Sequence, residues 1–216
     1  MELIEIFRNS LPVLVQGLRM TLYITVFSLM FAMLIGLFVS LMRLSKVRIL
    51  EILSKGYVDI IRGTPLIIQA FFLYFGLPDL LNIRIDNTTA GIIIMSLNAG
   101  AYMSEVFRGG ILSVNIGQTE AARSLGLSQS KTMKLVILPQ AIKNMVPAFI
   151  NQMIISLKDT SLLSVIGVGE LTQRGQIVVA ATYNSFEIYF IIGVMYFIMI
   201  KTISLLGEYV ERKLGL

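Results

Sequence analysis

The sequence contains neither cysteine nor histidine in its 216 residues. Without cysteine there is no disulfide and no cysteine nucleophile, and without either residue there is no zinc site built on Cys or His ligands. The lack of histidine also excludes a Ser-His-Asp triad. Membrane proteases and zinc enzymes that depend on histidine are therefore excluded as classes.

Charged residues are also scarce, at 14% of the chain, whereas hydrophobic residues make up 56% and the mean hydropathy is +0.80. Soluble domains are roughly 45–50% apolar and about 25% charged. The composition therefore predicts an integral membrane protein. The net charge of +5 does not call for a nucleic-acid partner, because Lys and Arg collect in the cytoplasmic loops of membrane proteins.

Five stretches of the chain are long and apolar enough to cross a membrane, for which about 20 mostly apolar residues are needed. The predicted spans are residues 20–42, 64–81, 89–107, 138–169 and 185–206. The fourth is longer than one span requires and carries scattered polar residues, so we expect it to be broken. The predicted fold class is an all-α membrane protein with about five transmembrane helices.

The basic residues are spread unevenly over the segments between these spans. Thirteen of the eighteen follow span one, span three or span five, and such a bias marks the cytoplasmic side. They are Arg43, Lys46, Arg48, Lys55, Arg62, Arg108, Arg123, Lys131, Lys134, Lys143, Lys201, Arg212 and Lys213. The N-terminus is therefore predicted to lie outside and the C-terminus in the cytoplasm.

The largest predicted cytoplasmic segment is residues 116–141, which reads as two short helices. Glu120 suits the first turn of the first helix, Gly126 suits the position after its end, and Ser128 suits the N-cap of the second. Pro139 marks the end of the second helix or a kink. A basic helix-Gly-helix elbow of this kind either docks on a partner or lies as an amphipathic hairpin on anionic lipid.

The same segment carries a family resemblance. Glu120-Ala121-Ala122, then Gly126 after three residues, then Leu138-Pro139 at the twentieth position resembles the EAA loop of the permease subunits of ABC importers of type I. Val136 stands where the family pattern has Ile, which is a mild departure. Because the spacing is fixed over twenty positions, chance agreement is improbable.

Three further motifs resemble the polar amino acid branch of those permeases. They are Arg62-Gly63-Thr64-Pro65 with Gln69, Ala101-Tyr102-Met103-Ser104-Glu105 with Arg108-Gly109-Gly110, and Lys158-Asp159-Thr160-Ser161-Leu162. The resemblance covers the chain from about residue 16 onward. It implies one permease domain over residues 1–216, with residues 116–139 as the cytoplasmic coupling loop between helices 3 and 4, in the inner membrane of a prokaryote.

The resemblance also implies how the chain is driven. In the family, the first helix of the loop sits in a groove of a separate ABC ATPase dimer. Glu120 would pair with a basic group there, Ala121 and Ala122 would allow close approach, and Gly126 and Pro139 would shape the elbow. No Gly-Lys pair is followed by Ser or Thr, so the phosphate-binding loop of an ATPase is absent from this sequence. The chain is therefore predicted not to be an enzyme, with ATP and Mg²⁺ on the partner and no cofactor or metal of its own.

Lys158 and Asp159 are the leading candidates for substrate contact. They lie amid sparsely polar residues of span four, and charges inside a membrane usually mark a pathway. Neighbouring positions on a helix do not face each other, so the two cannot simply neutralise one another. An amino acid zwitterion offers a carboxylate to Lys158 and an ammonium to Asp159. The alternative is that span four ends at Leu157 and that the pair caps it outside.

Other polar residues in the spans are weaker candidates. Asn98, Tyr102 and Glu105 share one helical face, and Asn98, near the middle of span three, is the better placed for substrate. Glu105 more simply pairs with Arg108, or belongs to an inner gate. Gln69 and Gln152 are secondary lining candidates, although a glutamine bridging two helices is the commoner case. Arg62 is interpreted as an anchor at the membrane interface.

The resemblance implies a permease for polar amino acids, basic ones included, working by alternating access. Five spans make a thin wall for a pathway, so we expect a second permease copy, as a homodimer or with a similar chain, besides membrane lipid. An extracytoplasmic amino-acid-binding protein would dock outside, with residues 77–88 and 173–184 as candidate contacts. The alternative function is a small ATP-independent carrier or channel, which would not explain the EAA elbow.

Overall fold

The computed structural model describes residues 2–216, with side chains from Glu5 onward, and this part of the chain is helical with no strand. The helices are α1 Glu2–Leu44, α2 Arg48–Gly63, α3 Leu66–Phe71, α4 Leu77–Leu81, α5 Asn87–Leu112, α6 Ile116–Ser124, α7 Gln129–Thr132, α8 Leu138–Asp159, α9 Leu171–Thr182 and α10 Ser185–Leu214. Two π turns, Phe72–Gly76 and Met133–Ile137, and a 3-10 helix, Thr160–Ile166, join some of them. The all-α prediction is confirmed.

Within the described range, four helical stretches are long and apolar enough to cross a membrane. They are Glu5–Leu44, Asn87–Leu112, Gln129–Ile166 and Ser185–Leu214. A fifth crossing results if α2 and the segment Leu66–Leu81 are counted as one bent span. This agrees with the prediction of about five, although the helices extend past the predicted ends because helical structure continues beyond the apolar runs.

Helix α2 is the element that the span prediction leaves out. Its 16 residues alternate charged and apolar side chains, so it has no long apolar run. The segment Leu66–Leu81 that follows is turned by 107° relative to α2. The turn falls at Thr64-Pro65, where both residues have extended backbone, as the clash before a proline ring favours.

The core forms where α1 and α5 lie against each other. Gly36 is in such close contact that a Cβ there would lie 2.6 Å from the Cβ of Met103. Gly100 meets Ile35 in the same way, at 2.8 Å from its Cγ2. Small residues let helix backbones approach closely in a membrane, where dispersion forces replace the hydrophobic effect between helices. This packed pair is the frame on which the other helices are arranged.

Both π turns stand immediately before a Leu-Pro pair, Leu77-Pro78 in one case and Leu138-Pro139 in the other. A proline has no N–H, so the carbonyl four residues before it loses its helical donor. In the first turn the N–H of Leu77 bonds the carbonyl of Phe72, five residues back, and the second turn repeats the arrangement. The wider turn carries the helix past the proline without ending it.

Candidate functional site

Helix α8 ends where the sequence predicts a break. Its last residue is Asp159, and the chain tightens there into the 3-10 helix Thr160–Ile166. The hydroxyl of Thr160 donates to the carbonyl of Leu157 at 2.7 Å, and that of Ser161 donates to the carbonyl of Lys158 at 2.7 Å. Side-chain donors of this kind satisfy carbonyls at a helix end. The interruption is therefore a change from α-helix to 3-10 helix within the helical stretch Gln129–Ile166.

Lys158 and Asp159 differ in exposure at this break. The Lys158 side chain is exposed and that of Asp159 is half-buried. Among the side chains of residues 5–216, neither takes part in an ion pair. The chain does not leave the protein after Asp159, because Leu163 and Ile166 of the following 3-10 helix are buried in the core. Two opposite charges thus stand side by side at an interruption within the bundle.

Gln69 and Asn98 are brought together by the fold. The amide nitrogen of Asn98 donates to the amide oxygen of Gln69 at 2.9 Å, and both side chains are buried. The nitrogen of Gln69 donates to the carbonyl of Ile61 at 2.7 Å and to that of Thr64 at 3.1 Å. Ile61 is four residues before Pro65, which has no N–H to offer it. Gln69 therefore supplies the donor that the proline removes, and it holds the bend between α2 and α3.

Gln152 lines a cavity of ≈ 520 Å³ between α5 and α8. It is buried, and its amide nitrogen donates to the hydroxyl of Ser156 at 3.3 Å. The cavity walls are Arg62, Tyr102, Glu105, Val106, Gly109, Gly110, Ser113, Asn144, Met145, Ala148, Asn151 and Gln152. None of the other four predicted substrate residues is in this wall. The structure thus divides the predicted site into the Gln69–Asn98 pair, the α8 break and the Gln152 cavity.

Arg62 also faces this cavity. Its guanidinium carbon lies 5.2 Å from the centre of the Tyr102 ring, within the range of a cation–π contact. The sequence-based interpretation of Arg62 as an interface anchor stays a prediction, and it did not include this contact. The contact depends on the packing of α2 against α5, where the Tyr57 hydroxyl donates to the carbonyl of Leu97.

Glu105 is the centre of an ion cluster beside the cavity. It pairs with Arg108 at 2.8 Å, as the sequence predicts, and also with Arg43 at the end of α1. All three side chains are at least two-thirds shielded from solvent. The cluster ties α1 to α5 at the end of the bundle that carries α6. The contribution of Arg43 was missed because it stands 62 positions away and nothing local in the sequence connects the two.

The elbow after α5 has the predicted turn. Gly126 has φ of +80°, which favours glycine, and the N–H groups of Gly126 and Leu127 bond the carbonyls of Arg123 and Ala122. Glu120 and Ala121 are exposed, while Ala122 is buried against the elbow itself. The helix therefore presents its acidic residue and one small residue outward.

One detail of the elbow prediction is wrong. Helix α6 starts at Ile116 behind an Asn115 cap, so Glu120 lies in the second turn and not the first. The second short helix begins at the Ser128 cap, and of the two predicted roles of Pro139, a helix end or a kink, the helix end is not found. The second helix runs through the π turn into α8, with Pro139 in the first turn of α8, because the wider turn absorbs the missing N–H.

Glu170 is a residue that sequence reasoning missed. It is fully buried and caps α9, accepting from the N–H groups of Thr172 at 2.9 Å and Gln173 at 2.7 Å and from the Tyr196 hydroxyl at 2.9 Å. It lies between the candidate spans, and burial raises the pKa of its carboxyl against the opposing effect of these hydrogen bonds. The signal was available: Glu170 immediately follows the predicted span four and precedes a helical pattern.

Comparison with known proteins places this geometry in a family context. A model of the family described as binding-protein-dependent transport system inner membrane component matches residues 32–216. The arginine transport system permease protein ArtQ of Bacillus subtilis (strain 168) is 40% identical over 205 residues, covering 95% of this chain and 94% of the relative. The glutamine transport system permease protein GlnP of Escherichia coli (strain K12) is 40% identical over 206 residues, with the same coverages.

Solved structures agree with the fold. A crystal structure of an amino acid ABC transporter with histidines has a chain that is 40% identical, with a TM-score of 0.92 and coverage of 96% of both chains. An inward-facing structure of the MetNI methionine ABC transporter superposes with a TM-score of 0.79 at 23% identity, over 94% of this chain and 97% of that one. The second likeness concerns the fold alone.

Proposed function

This chain belongs to the family of binding-protein-dependent transport system inner membrane components, and on that premise we propose that it is the permease of an ATP-driven importer of polar amino acids, basic ones included. Its relatives are named for arginine and for glutamine. These two substrates share the α-amino and α-carboxylate groups, so a common site would read those groups first.

The observation that carries the substrate class is the pair Lys158 and Asp159 at the end of α8, which have no ion-pair partner among the side chains of residues 5–216. Lys158 would meet the carboxylate and Asp159 the ammonium group of an amino acid. Broken helices within membrane transporters commonly serve this purpose, because their free ends and nearby charges face the pathway. Asn98, Gln69 and Gln152 are proposed to line the same route, with Gln69 also holding the α2–α3 bend.

Coupling to a separate ATPase is proposed for the elbow. Exposed Glu120 and Ala121 on α6 would enter a groove of the ATPase dimer, with Ala122 packed behind them and Gly126 fixing the turn. Because α7 continues through the π turn and Pro139 into α8, a push on the elbow would be carried to the helix that ends at Asp159. ATP and Mg²⁺ would belong to the partner.

The remaining partners follow from the geometry of one chain. Its exposed apolar faces and its four or five candidate crossings fit a dimer of permease chains in a prokaryotic inner membrane, with two identical copies or this chain and a similar one. The predicted outer side would receive an amino-acid-binding protein at residues 77–88 and 173–184. The Gln152 cavity, next to the Glu105 cluster, would be the inner part of the route.

The test is ATP hydrolysis and uptake by the reconstituted complex with each of the twenty amino acids and the cognate binding protein. Polar amino acids should stimulate hydrolysis and accumulate. The variant Lys158→Ala/Asp159→Ala should lose uptake by at least tenfold, since each lost charged hydrogen bond costs about 1.5–3 kcal/mol. A tail variant, Glu211→Ala/Lys213→Ala, removes one charge of each sign elsewhere and serves as the control. Normal uptake by the first variant would sink the substrate assignment.

A further inference from the structure

Helix α2 has three faces and not two. One face packs inward: Ser54 and Val58 are buried, and the Tyr57 hydroxyl donates to the carbonyl of Leu97 on α5 at 2.6 Å. A second face is apolar and exposed. Its side chains are Ile49, Ile52, Leu53 and Ile60, each 59–68% exposed, with Gly56 between them. The third face is charged and consists of Arg48, Glu51, Lys55, Asp59 and Arg62.

The apolar face follows the helical repeat, at positions 49, 52, 53, 56 and 60. The charged face, at 48, 51, 55, 59 and 62, is rotated by about a third of a turn from it. A helix with one face against protein, one apolar face open and one charged face is suited to the boundary between acyl chains and water.

The depth of α2 can be worked out from α1. Exposed apolar side chains run along one side of α1 from Leu22 to Leu44. At 1.5 Å a residue this stripe is about 33 Å long, which matches a hydrocarbon layer about 30 Å thick. Helix α2 begins only four residues after Leu44, so its start lies at the edge of that layer.

Basic side chains gather at this start. Lys46, Arg48 and Lys55 line a groove together with Ser45, Glu51 and Ile52. All three basic side chains are exposed, and none of them forms an ion pair with a side chain of the described residues from Glu5 onward. With Glu51 as the one acidic residue in the groove lining, the groove carries a net charge of +2.

We propose that this groove binds an anionic phospholipid, with the phosphate between Lys46, Arg48 and Lys55 and an acyl chain along the Ile49–Ile52–Leu53 stripe. The chemistry is complementary at both ends, since the charges sit where the membrane surface lies and the apolar stripe leads away from them. A protein partner fits less well, because the cores of protein interfaces are depleted of Lys and of charge in general. The proposal depends on the proposed function only in placing this end of the bundle at the cytoplasmic leaflet.

The first experiment measures what touches the apolar stripe. Because this chain has no cysteine, it can be labelled with a nitroxide at one introduced cysteine and then assembled with its partner subunits. The labelled variants are Ile49→Cys, Leu53→Cys and Ile60→Cys, each in the intact transporter complex in vesicles that contain phosphatidylglycerol. Their labels should collide with oxygen as often as a label at Val26→Cys on α1 does. A label at Lys213→Cys gives the reference for collision with a water-soluble nickel chelate. Collision of the α2 labels with the chelate, or with neither reagent because protein covers them, overturns the proposal.

The second experiment measures the headgroup. Phosphatidylglycerol held by the purified complex is titrated against phosphatidylcholine and counted by native mass spectrometry. Each basic residue at an anionic surface contributes about fivefold in binding, so the variant Lys46→Gln/Arg48→Gln/Lys55→Gln should weaken retention by about 100-fold. The variant Arg8→Gln/Arg19→Gln/Arg84→Gln removes the same charge at the opposite end and should retain the lipid as wild type does. Equal loss in both variants, or loss in neither, refutes the site.

The two proposals fail separately. If the amino acid assignment is wrong, stimulation by amino acids disappears but the oxygen collisions and lipid counts at α2 are unchanged. If the lipid site is wrong, the α2 labels fail to collide with oxygen or the two triple variants retain the lipid equally, while amino acids still stimulate ATP hydrolysis.

Discussion

Gly36 and Gly193 both lie in long apolar helices, but their surroundings differ. A Cβ on Gly193 would meet nothing within 4 Å, whereas a Cβ on Gly36 would lie 2.6 Å from Met103 Cβ and 3.0 Å from the backbone of Met103 and Ser104. Alanine at position 36 therefore has to push α1 away from α5, because a backbone cannot rotate out of the way as a side chain can. Alanine at position 193 adds the same methyl group without a clash.

The expected loss of stability follows from the distance by which α1 and α5 must separate. Ordinary contact starts at 3.4 Å, so the helices must separate by nearly 1 Å at this crossing. A gap of that size forfeits at least a quarter of each dispersion well of about 0.15 kcal/mol. If roughly forty atom pairs along the crossing are affected, the loss is about 1.5 kcal/mol, within the ~1–3 kcal/mol typical of overpacking. Gly193→Ala should be neutral or slightly stabilising, because alanine is the better helix former.

The assay is the midpoint of thermal unfolding of the purified complex in detergent, read as loss of the intact peak in size-exclusion chromatography after heating. A loss of 1–3 kcal/mol corresponds to a fall of roughly 2–12 °C for a chain of this size. The unfolding midpoint of the Gly36→Ala variant should be lower than that of the Gly193→Ala variant by that amount. If the two variants unfold at the same temperature, the close approach of α1 and α5 is not what holds the frame together.

Three further substitutions test other contacts. Glu170→Leu leaves the N–H groups of Thr172 and Gln173 without their acceptor, and the Tyr196 hydroxyl keeps only the Thr172 hydroxyl, 3.2 Å away, as a partner. The change should cost about 2–4 kcal/mol, while Glu170→Gln should lie between it and wild type in the same heating assay; reversal of that order contradicts the capping role. Gln69→Met removes the donor to the carbonyl of Ile61 and should lower the free energy of unfolding by about 1–2 kcal/mol, which the heating assay records as a lower midpoint. An unchanged midpoint would show that the Gln69 hydrogen bonds do not stabilise the bend. Gly126→Ala strains a residue at φ of +80° by about 1 kcal/mol, so ATP hydrolysis should respond less to amino acids while the midpoint falls by only about 2–4 °C. Gly193→Ala, whose added Cβ meets nothing within 4 Å, is its control, and equal coupling in both variants would disprove the requirement.

The sequence predicts the parts of this fold that have a local cause. Long apolar runs indicate the spans, the glycine of the elbow indicates a left-handed turn, and the charged pair at residues 158 and 159 indicates a break, because each effect acts within a few residues. The match of Gly126 and of the α8 break to these predictions is therefore expected.

What could not be predicted depends on helices meeting in space. Arg43 reaches Glu105 only because α1 and α5 lie side by side, and Gln69 reaches Asn98 only because the chain bends at Pro65. Helix α2 was left out since its charges break the apolar run, although its three-faced pattern was present in the sequence. The assignment of residues to the proposed substrate route stays a prediction. Nothing in the order of residues along the chain indicates that the fold separates them into three places.

The π turn between α7 and α8 also preserves an angle. An α-helix turns by about 100° with each residue, and a π turn contains one residue more than the α turn it replaces. The extra residue is absorbed in the wider turn, so α7 and α8 keep nearly the rotational phase of one continuous helix. Deleting one residue from the regular part of α8 would instead rotate the elbow by about 100° around the axis of α8. Glu120 would then point to a different side of the bundle with every elbow residue still present. The direction in which this chain offers α6 to another protein thus depends on the number of regular helical residues between the elbow and the bundle, and the π turn beside Pro139 leaves that direction unchanged.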